Sequence, residues 1–270
     1  MDRLWRAHGL GNDYLVWEGG RALEPHEVVA LCDRHYGVGG DGVLEPRPAA
    51  DGLFGVRIWN PDGSVAEKSG NGLRIFTRWL TGRGVVGPIV VDTGFERVGC
   101  HDQDGLVRVD MGRAVARDAP PLRAREVDGN VVHGVALSLG NPHLVVLWDG
   151  AASWRALGAS LEHHPDFPRR TNVQFARWHG RDRAEARIWE RGAGETLASG
   201  SSACAVAAAG VLLGALDPGP IVVEMEGGAL AVTVTPDLDV HQRGPVVAIG
   251  HLTLDPSWWT SEIMHRVSTA

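Results

Sequence analysis

Cysteine is scarce in this chain of 270 residues: Cys32, Cys100 and Cys204 are all there is, at spacings that match neither a metal site nor a disulfide framework. A reducing compartment is the natural home for such a set, so the cytoplasm is the expected location. Long apolar runs are missing too. No stretch approaches the length, about 20 residues, that a membrane-spanning helix needs, and the opening MDRLWRAHGLGNDY has no apolar segment of signal-peptide length. Positive charge is short: the formal net charge is −7, which gives a nucleic-acid partner little electrostatic support. Low-complexity tracts and long linkers are absent. What is present, 44% hydrophobic and 22% charged residues, is the composition of a soluble globular protein. The length suits two domains.

Glycine is plentiful, at 36 residues, and separates short runs rich in Val and Ile. DGLFGVRIW, GPIVVDTG, GLVRVDMG, NVVHGVALSLGNPHLVVLW, NVQFARW, EARIWE, PIVVEMEGGALAVTVTP and GPVVAIGHLTL read as strands bounded by turns. Three segments read as helices: 24–37, 71–84 and 201–217, the last almost wholly apolar and small, as a helix buried on all sides would be.

Two stretches nearly repeat each other. RIWNPDGSVAEKSG (57–70) and RIWERGAGETLASG (187–200) match at Arg57/Arg187, Ile58/Ile188, Trp59/Trp189, Ser69/Ser199 and Gly70/Gly200, always 130 residues apart. A helix candidate follows each Ser-Gly. The chain therefore reads as two related halves, each with a strand, a loop and a helix that starts at Ser-Gly. A helix start carries unpaired N–H groups and the positive end of a dipole, and glycine lets a ligand approach closely. SGNG at 69–72 and SGSS at 199–202 are thus candidate anion cradles, suited to gripping a small carboxylate from two sides.

HGLGNDY (8–14), NPDGSVAEKSGNG (60–72), LGNPH (139–143), TNVQF (171–175) and ERGAGETLASGSSACA (190–205) resemble, in order and spacing, the signature segments of the diaminopimelate epimerase family. The resemblance spans the chain. It implies an α/β (α+β) fold of two pseudo-symmetric domains, each a curled antiparallel sheet or barrel around a central helix. The expected halves are 1–113 plus 252–270 and 114–251, with the active site in the cleft between them. It implies an isomerase without pyridoxal cofactor or metal, which interconverts LL- and meso-diaminopimelate in lysine and cell-wall precursor synthesis. One group removes the α-proton on one face and another returns a proton on the other. By position, Asn60, Asn141, Asn172 and Arg191 fall where the family grips the far end of its substrate. Asn12 is a further substrate contact, and Gly70, Asn71, Gly200 and Ser201 line the two cradles. His143 and Glu190 match the polar residues that accompany the acid–base pair. Family members often form dimers, so a homodimer is compatible with the resemblance.

The family's two catalytic cysteine positions are Ser69 and Ser199 here. A thiol near pKa 8.5 is readily tuned to the working range; a hydroxyl is a far weaker acid and serves as a base only when another group takes its proton. Three readings stay open. Ser69 and Ser199 are the bases, helped by His143 and Glu190. Or the serines only bind, and Glu190, His143 or Lys68 moves the proton, much as the similarly folded phenazine-biosynthesis isomerases use a carboxylate. Or the chain is a Cys→Ser form of a cysteine enzyme. A binding protein that kept the cradles and lost turnover is the rival from another class. Gly42, in HYGVGGDGVL, stands where the family often has glutamine, so one substrate contact is expected to be missing. Cys204, among alanines, reads as a buried inert thiol.

Overall fold

The computed structural model describes residues 2–150 and 153–260; the part of the expected first half at 261–270 lies outside the described residues. These residues fall into two compact units, one built from the stretch up to Val107 together with the stretch from Pro245 onward, the other from Arg108–Gly244.

The first unit runs β1 (Arg3–Gly9), β2 (Asn12–Trp17), α1 (Pro25–Cys32), β3 (Val43–Arg47), β4 (Phe54–Trp59), β5 (Val65–Ala66), α2 (Gly70–Thr81), β6 (Ile89–Asp92) and β7 (Arg97–Gln103). After β8 (Leu106–Arg113), β9 (Val115–Ala116) and β10 (Leu122–Val127), the second unit repeats the order. It runs β11 (Asn130–Ser138), β12 (Pro142–Leu147), α3 (Trp154–Glu162), β13 (Asn172–His179), β14 (Arg183–Glu190), β15 (Gly194–Thr196), α4 (Gly200–Leu212), β16 (Gly219–Met225), β17 (Gly228–Val234) and β18 (Asp239–Pro245). The last strand, β19 (Val247–Thr253), returns to pair with β1.

The duplication read from the sequence holds at the level of strand register. Val43 faces Trp59 and Ile58 faces Ala66 in the first unit; Val173 faces Trp189 and Ile188 faces Thr196 in the second, each pair 130 residues on. The sheets are mixed rather than wholly antiparallel. β2 and β3 are parallel, as are β4 and β6, and so are their counterparts β12/β13 and β14/β16. Parallel neighbours need a crossover, and helices supply it: α1 and α3 bridge the first pair of each unit, α2 and α4 the second.

Strand alternation then sorts side chains onto two faces. In the second unit Leu144, Val146, Val173 and Phe175 pack with Trp154 and Leu161 of α3. In the first, Leu15, Trp17 and Val43 pack with Val28 and Leu31 of α1. Neighbouring positions on the same strands, Tyr14, His143 and Gln174, are thereby turned to the other face, where α2 and α4 lie against the sheets. α4 is buried from Gly200 to Gly210, as its small apolar composition requires. The helices are shorter than the sequence pattern suggests. α1 stops at Cys32 because the Asp33 carboxylate takes the N–H groups of His35 and Tyr36, both at 2.7 Å, and turns the chain.

Each unit also buries a glutamate against the repeated tryptophan. Trp59 Nε1–H donates to Glu45 at 2.8 Å, and Trp189 Nε1–H donates to Glu162 at 2.8 Å. Trp59→Phe leaves the buried Glu45 short of one charge-assisted bond, so urea unfolding should show a loss of about 1.5–3 kcal/mol.

Candidate active site

Ser69 and Ser199 are the N-caps of α2 and α4, with nearly identical backbones: φ −134° and ψ 117° against φ −141° and ψ 125°. Their hydroxyls accept the N–H of the third residue on, Gly72 at 3.0 Å and Ser202 at 3.4 Å. Gly70 and Asn71, and Gly200 and Ser201, form the first turns, whose N–H groups lie beyond the helical ladder. At Gly200 a Cβ would collide with the Gln242 side chain, so only glycine lets that buried amide pack on the helix start.

The two stations differ in what stands beside the hydroxyl. Ser199 donates its O–H to Glu190 Oε2 at 2.9 Å, and the other oxygen of Glu190 accepts from Thr196 Oγ1 at 2.9 Å. Glu190 ends β14 and Thr196 ends β15, so the hairpin between them aims the carboxylate at the helix start. Beside Ser69 stands Tyr14 of β2, its Oη 2.9 Å from Ser69 Oγ.

His143 is completely buried on β12. Gln174 Nε2 lies 3.2 Å from its Nδ1 and also donates to Ser202 Oγ at 3.0 Å. With Nδ1 accepting, the proton sits on Nε2, which donates to Asn141 Oδ1 at 2.9 Å. His143 thus fixes the amide of Asn141 and ties it, through Gln174, to the first turn of α4.

In the first unit Asn12 plays a comparable part. Its Oδ1 accepts from Asn71 Nδ2 at 2.9 Å and its Nδ2 donates to Asp41 at 2.8 Å. Asn71 accepts in turn from the buried guanidinium of Arg74. Burial and the neighbouring Asp13 charge push the Asp41 carboxyl above its usual range. Burial would raise Asp13 as well, but hydrogen bonds from Arg34 and Arg6 outweigh it and hold that carboxyl low. Leu-Gly-Asn at 10–12 recurs as Leu-Gly-Asn at 139–141, a part of the duplication that runs 129 rather than 130 residues apart. Asn12 and Asn141 are therefore repeat counterparts, and so are Tyr14 and His143.

The residues expected at the far end of a substrate are held by their loops. Asn60 caps its own turn, donating to Ser64 Oγ at 2.9 Å. Asn172 accepts the Arg191 N–H at 3.0 Å and donates to the Pro142 carbonyl at 2.9 Å. The Arg191 guanidinium reaches the Arg169 carbonyl at 3.4 Å. Glu162, at the end of α3, braces the same loop by accepting the Gly192 N–H at 3.0 Å. Lys68 precedes Ser69 but its side chain is buried in an ion pair with Glu96 at 2.7 Å. Gly42 lies under the Tyr14 ring, where a Cβ would come within 2.6 Å of Tyr14 Cε1. The three cysteines are buried, and burial, with a smaller push from the charges of Asp41 and Asp13, raises the Cys32 thiol to about 12. Among the described residues no three His, Cys, Asp or Glu side chains gather as a metal site would need, and no helix is long and apolar enough to cross a membrane.

Tyr14, Thr196, Gln174 and Ser202 were not singled out by sequence reasoning, although all four lie inside the signature segments. Glu162 carries no such signal.

The comparisons with known proteins agree with this architecture. The family model described as diaminopimelate epimerase matches residues 4–116 and 135–249. A protein of Nostoc sp. named diaminopimelate epimerase 2 is 39% identical, with 92% of this chain and 93% of that protein covered. A diaminopimelate epimerase of Stutzerimonas stutzeri is 40% identical, covering 92% and 96%. Among solved structures, a hydroxyproline epimerase from Agrobacterium vitis superposes with a TM-score of 0.74 at 16% identity, covering 95% of this chain and 93% of that one. A Bacillus anthracis protein of the PhzF family gives 0.68 at 13%, covering 94% and 99%. Doubled units, each with a capped helix start beside an ionisable side chain, and a match that runs through both, place this chain in the diaminopimelate epimerase family.

Proposed function

We propose that this chain is an isomerase that interconverts LL- and meso-diaminopimelate by two-base proton transfer at the α-carbon, a step toward lysine and cell-wall precursors in the cytoplasm. The observation that carries the reading is the Ser199–Glu190 hydrogen bond at the start of α4. A serine hydroxyl alone is too weak a base for an α-proton, but one that already donates to a carboxylate has somewhere to send its own proton. As the α C–H bond breaks, its proton passes to Ser199 Oγ and the Ser199 proton passes to Glu190. Ser69 returns a proton to the other face. The N–H groups that begin α2 and α4 receive the substrate's α-carboxylate and the negative charge that develops beside it. Asn12 is a further substrate contact, and Asn60, Asn141, Asn172 and Arg191 hold the distal end. The partner is a small amino acid; a net charge of −7 gives a nucleic acid little electrostatic support.

A specific observation favours a second reading with the same proton path. Gly42 offers no side chain where the family often has glutamine, which suits a different amino acid or a metabolite with a more acidic C–H. Chiral chromatography after incubation with LL-diaminopimelate separates the two: the meso isomer accumulates under the first reading and is absent under the second. Arg191→Ala should weaken binding of diaminopimelate by about 1.5–3 kcal/mol in calorimetry, the range for a charged hydrogen bond; unchanged affinity removes Arg191 from the site.

A further inference from the structure

We propose that Tyr14 stands behind Ser69 as Glu190 stands behind Ser199, so that the two serines are preset as one proton donor and one proton acceptor. This rests on the epimerase reading above and assigns a positioning residue to it. A serine hydroxyl has two acceptor sites and one donor. At Ser69, Gly72 N–H fills one acceptor site at 3.0 Å. Tyr14 Oη lies at 2.9 Å, and a phenol, at about pKa 10, is the stronger acid of the pair. In this assignment it donates and fills the second site. The Ser69 proton is then the one group left to point outward. At Ser199 the proton is committed to Glu190 and Ser202 N–H takes one acceptor site, so a lone pair is left. One station gives and the other takes.

Two further observations support the assignment. Tyr14 and His143 occupy counterpart places on β2 and β12, as do Asn60, just after β4, and Glu190, the last residue of β14. Each unit thus fills both places, and backs its serine from one of them: from the strand in the first unit, from the hairpin in the second. At Gly42 a Cβ would collide with the Trp59 carbonyl oxygen and meet the Tyr14 ring at 2.6 Å, so the phenol packs directly on this glycine.

The step balances. The α C–H bond breaks toward Ser199 Oγ while the Ser199 proton moves to Glu190. On the other face the Ser69 O–H bond breaks to form the new C–H bond while the Tyr14 proton moves to Ser69 Oγ. One negative charge has moved from Glu190 to Tyr14, which leaves the chain in the protonation state that the reverse direction needs. Proton exchange with water restores the first state.

The test compares the unmodified chain, Tyr14→Phe and Tyr14→Phe/Ser69→Cys with LL- and meso-diaminopimelate in deuterated water, followed by proton NMR and chiral chromatography. Tyr14→Phe should lower inversion about 100-fold or more. Deuteration with retained configuration should survive for the isomer whose α-proton meets Ser199 and stop for the other. A thiol needs no phenol behind it, so the added Ser69→Cys should recover inversion at least about tenfold. Inversion by Tyr14→Phe at the unmodified rate overturns the proposal. So does an equal loss of exchange from both isomers that Ser69→Cys leaves unrepaired, because that is the signature of lost packing. If the unmodified chain exchanges neither isomer, the epimerase reading itself fails and takes this proposal with it.

Discussion

Glu190→Gln should lower kcat about 10²–10⁴-fold, the range for loss of a positioned general base. Glutamine matches glutamate in size, and its carbonyl can still accept one hydrogen bond from Ser199 or Thr196. What it cannot do is take a proton. Ser199 would keep its place at the start of α4 and lose the destination for its hydroxyl proton. Binding should change far less, because the distal loop has its own ties: Asn172 accepts the Arg191 N–H and donates to the Pro142 carbonyl, and Glu162 accepts the Gly192 N–H. Steady-state kinetics should therefore show the loss in kcat with KM within a few-fold. A kcat within threefold of the unmodified chain would exclude Glu190 as the proton acceptor and return the role to another group. Adding Ser199→Cys should restore part of the rate, since a thiol carries its own acid–base range.

Phe175→Ala should cost about 3–5 kcal/mol of unfolding free energy, as large-to-small changes of buried aromatics do. Phe175 is buried on β13 against Trp154 of α3, with ring centroids 6.0 Å apart, and packs with Leu144, Val146 and Val173. The functional consequence follows from strand alternation. Gln174, next along β13, faces the other way, to His143 and Ser202. The folded fraction at low temperature should retain its kcat within a few-fold while the midpoint of unfolding drops sharply. Urea titration and activity on the same sample check both halves of this expectation.

Much of the fold was legible in the sequence because the duplication is written in identical residues. Arg-Ile-Trp and Ser-Gly at a fixed offset marked a strand and the helix start in both units, and both are where the structure has them. The helix α3 was not legible from its own pattern. Its counterpart α1 was read, and the Leu-Gly-Asn pair at 10–12 and 139–141 would have carried the repeat across to it, but that pair is one residue out of step. Strands β10 and β18 escaped for a different reason. Their inward positions include Arg125 and Gln242, both buried, so apolar alternation fails where polar side chains turn inward. Strand β1, with Arg3 and Arg6 among its apolar residues, was obscured in the same way.

At the site, residue identities were readable and partnerships were not. Serine at both N-caps is a local property of the chain. That Ser199 meets Glu190 joins residues nine positions apart across a tight hairpin, which sequence spacing hints at. That Ser69 meets Tyr14 joins residues 55 positions apart and depends on the face to which β2 turns its side chains. For His143 the structure adds partners, Asn141 and Gln174, that spacing could not name.

The central claim is that hydroxyls backed by Glu190 and Tyr14 do the work of thiols. Proton NMR of LL-diaminopimelate with the unmodified chain in deuterated water, beside the Ser69→Cys/Ser199→Cys variant, tests it most directly. The account predicts deuterium at the α-carbon and growth of the meso isomer with the unmodified chain. Exchange only with the double cysteine variant would contradict it, and would mean that this scaffold binds the substrate but needs thiols to turn it over.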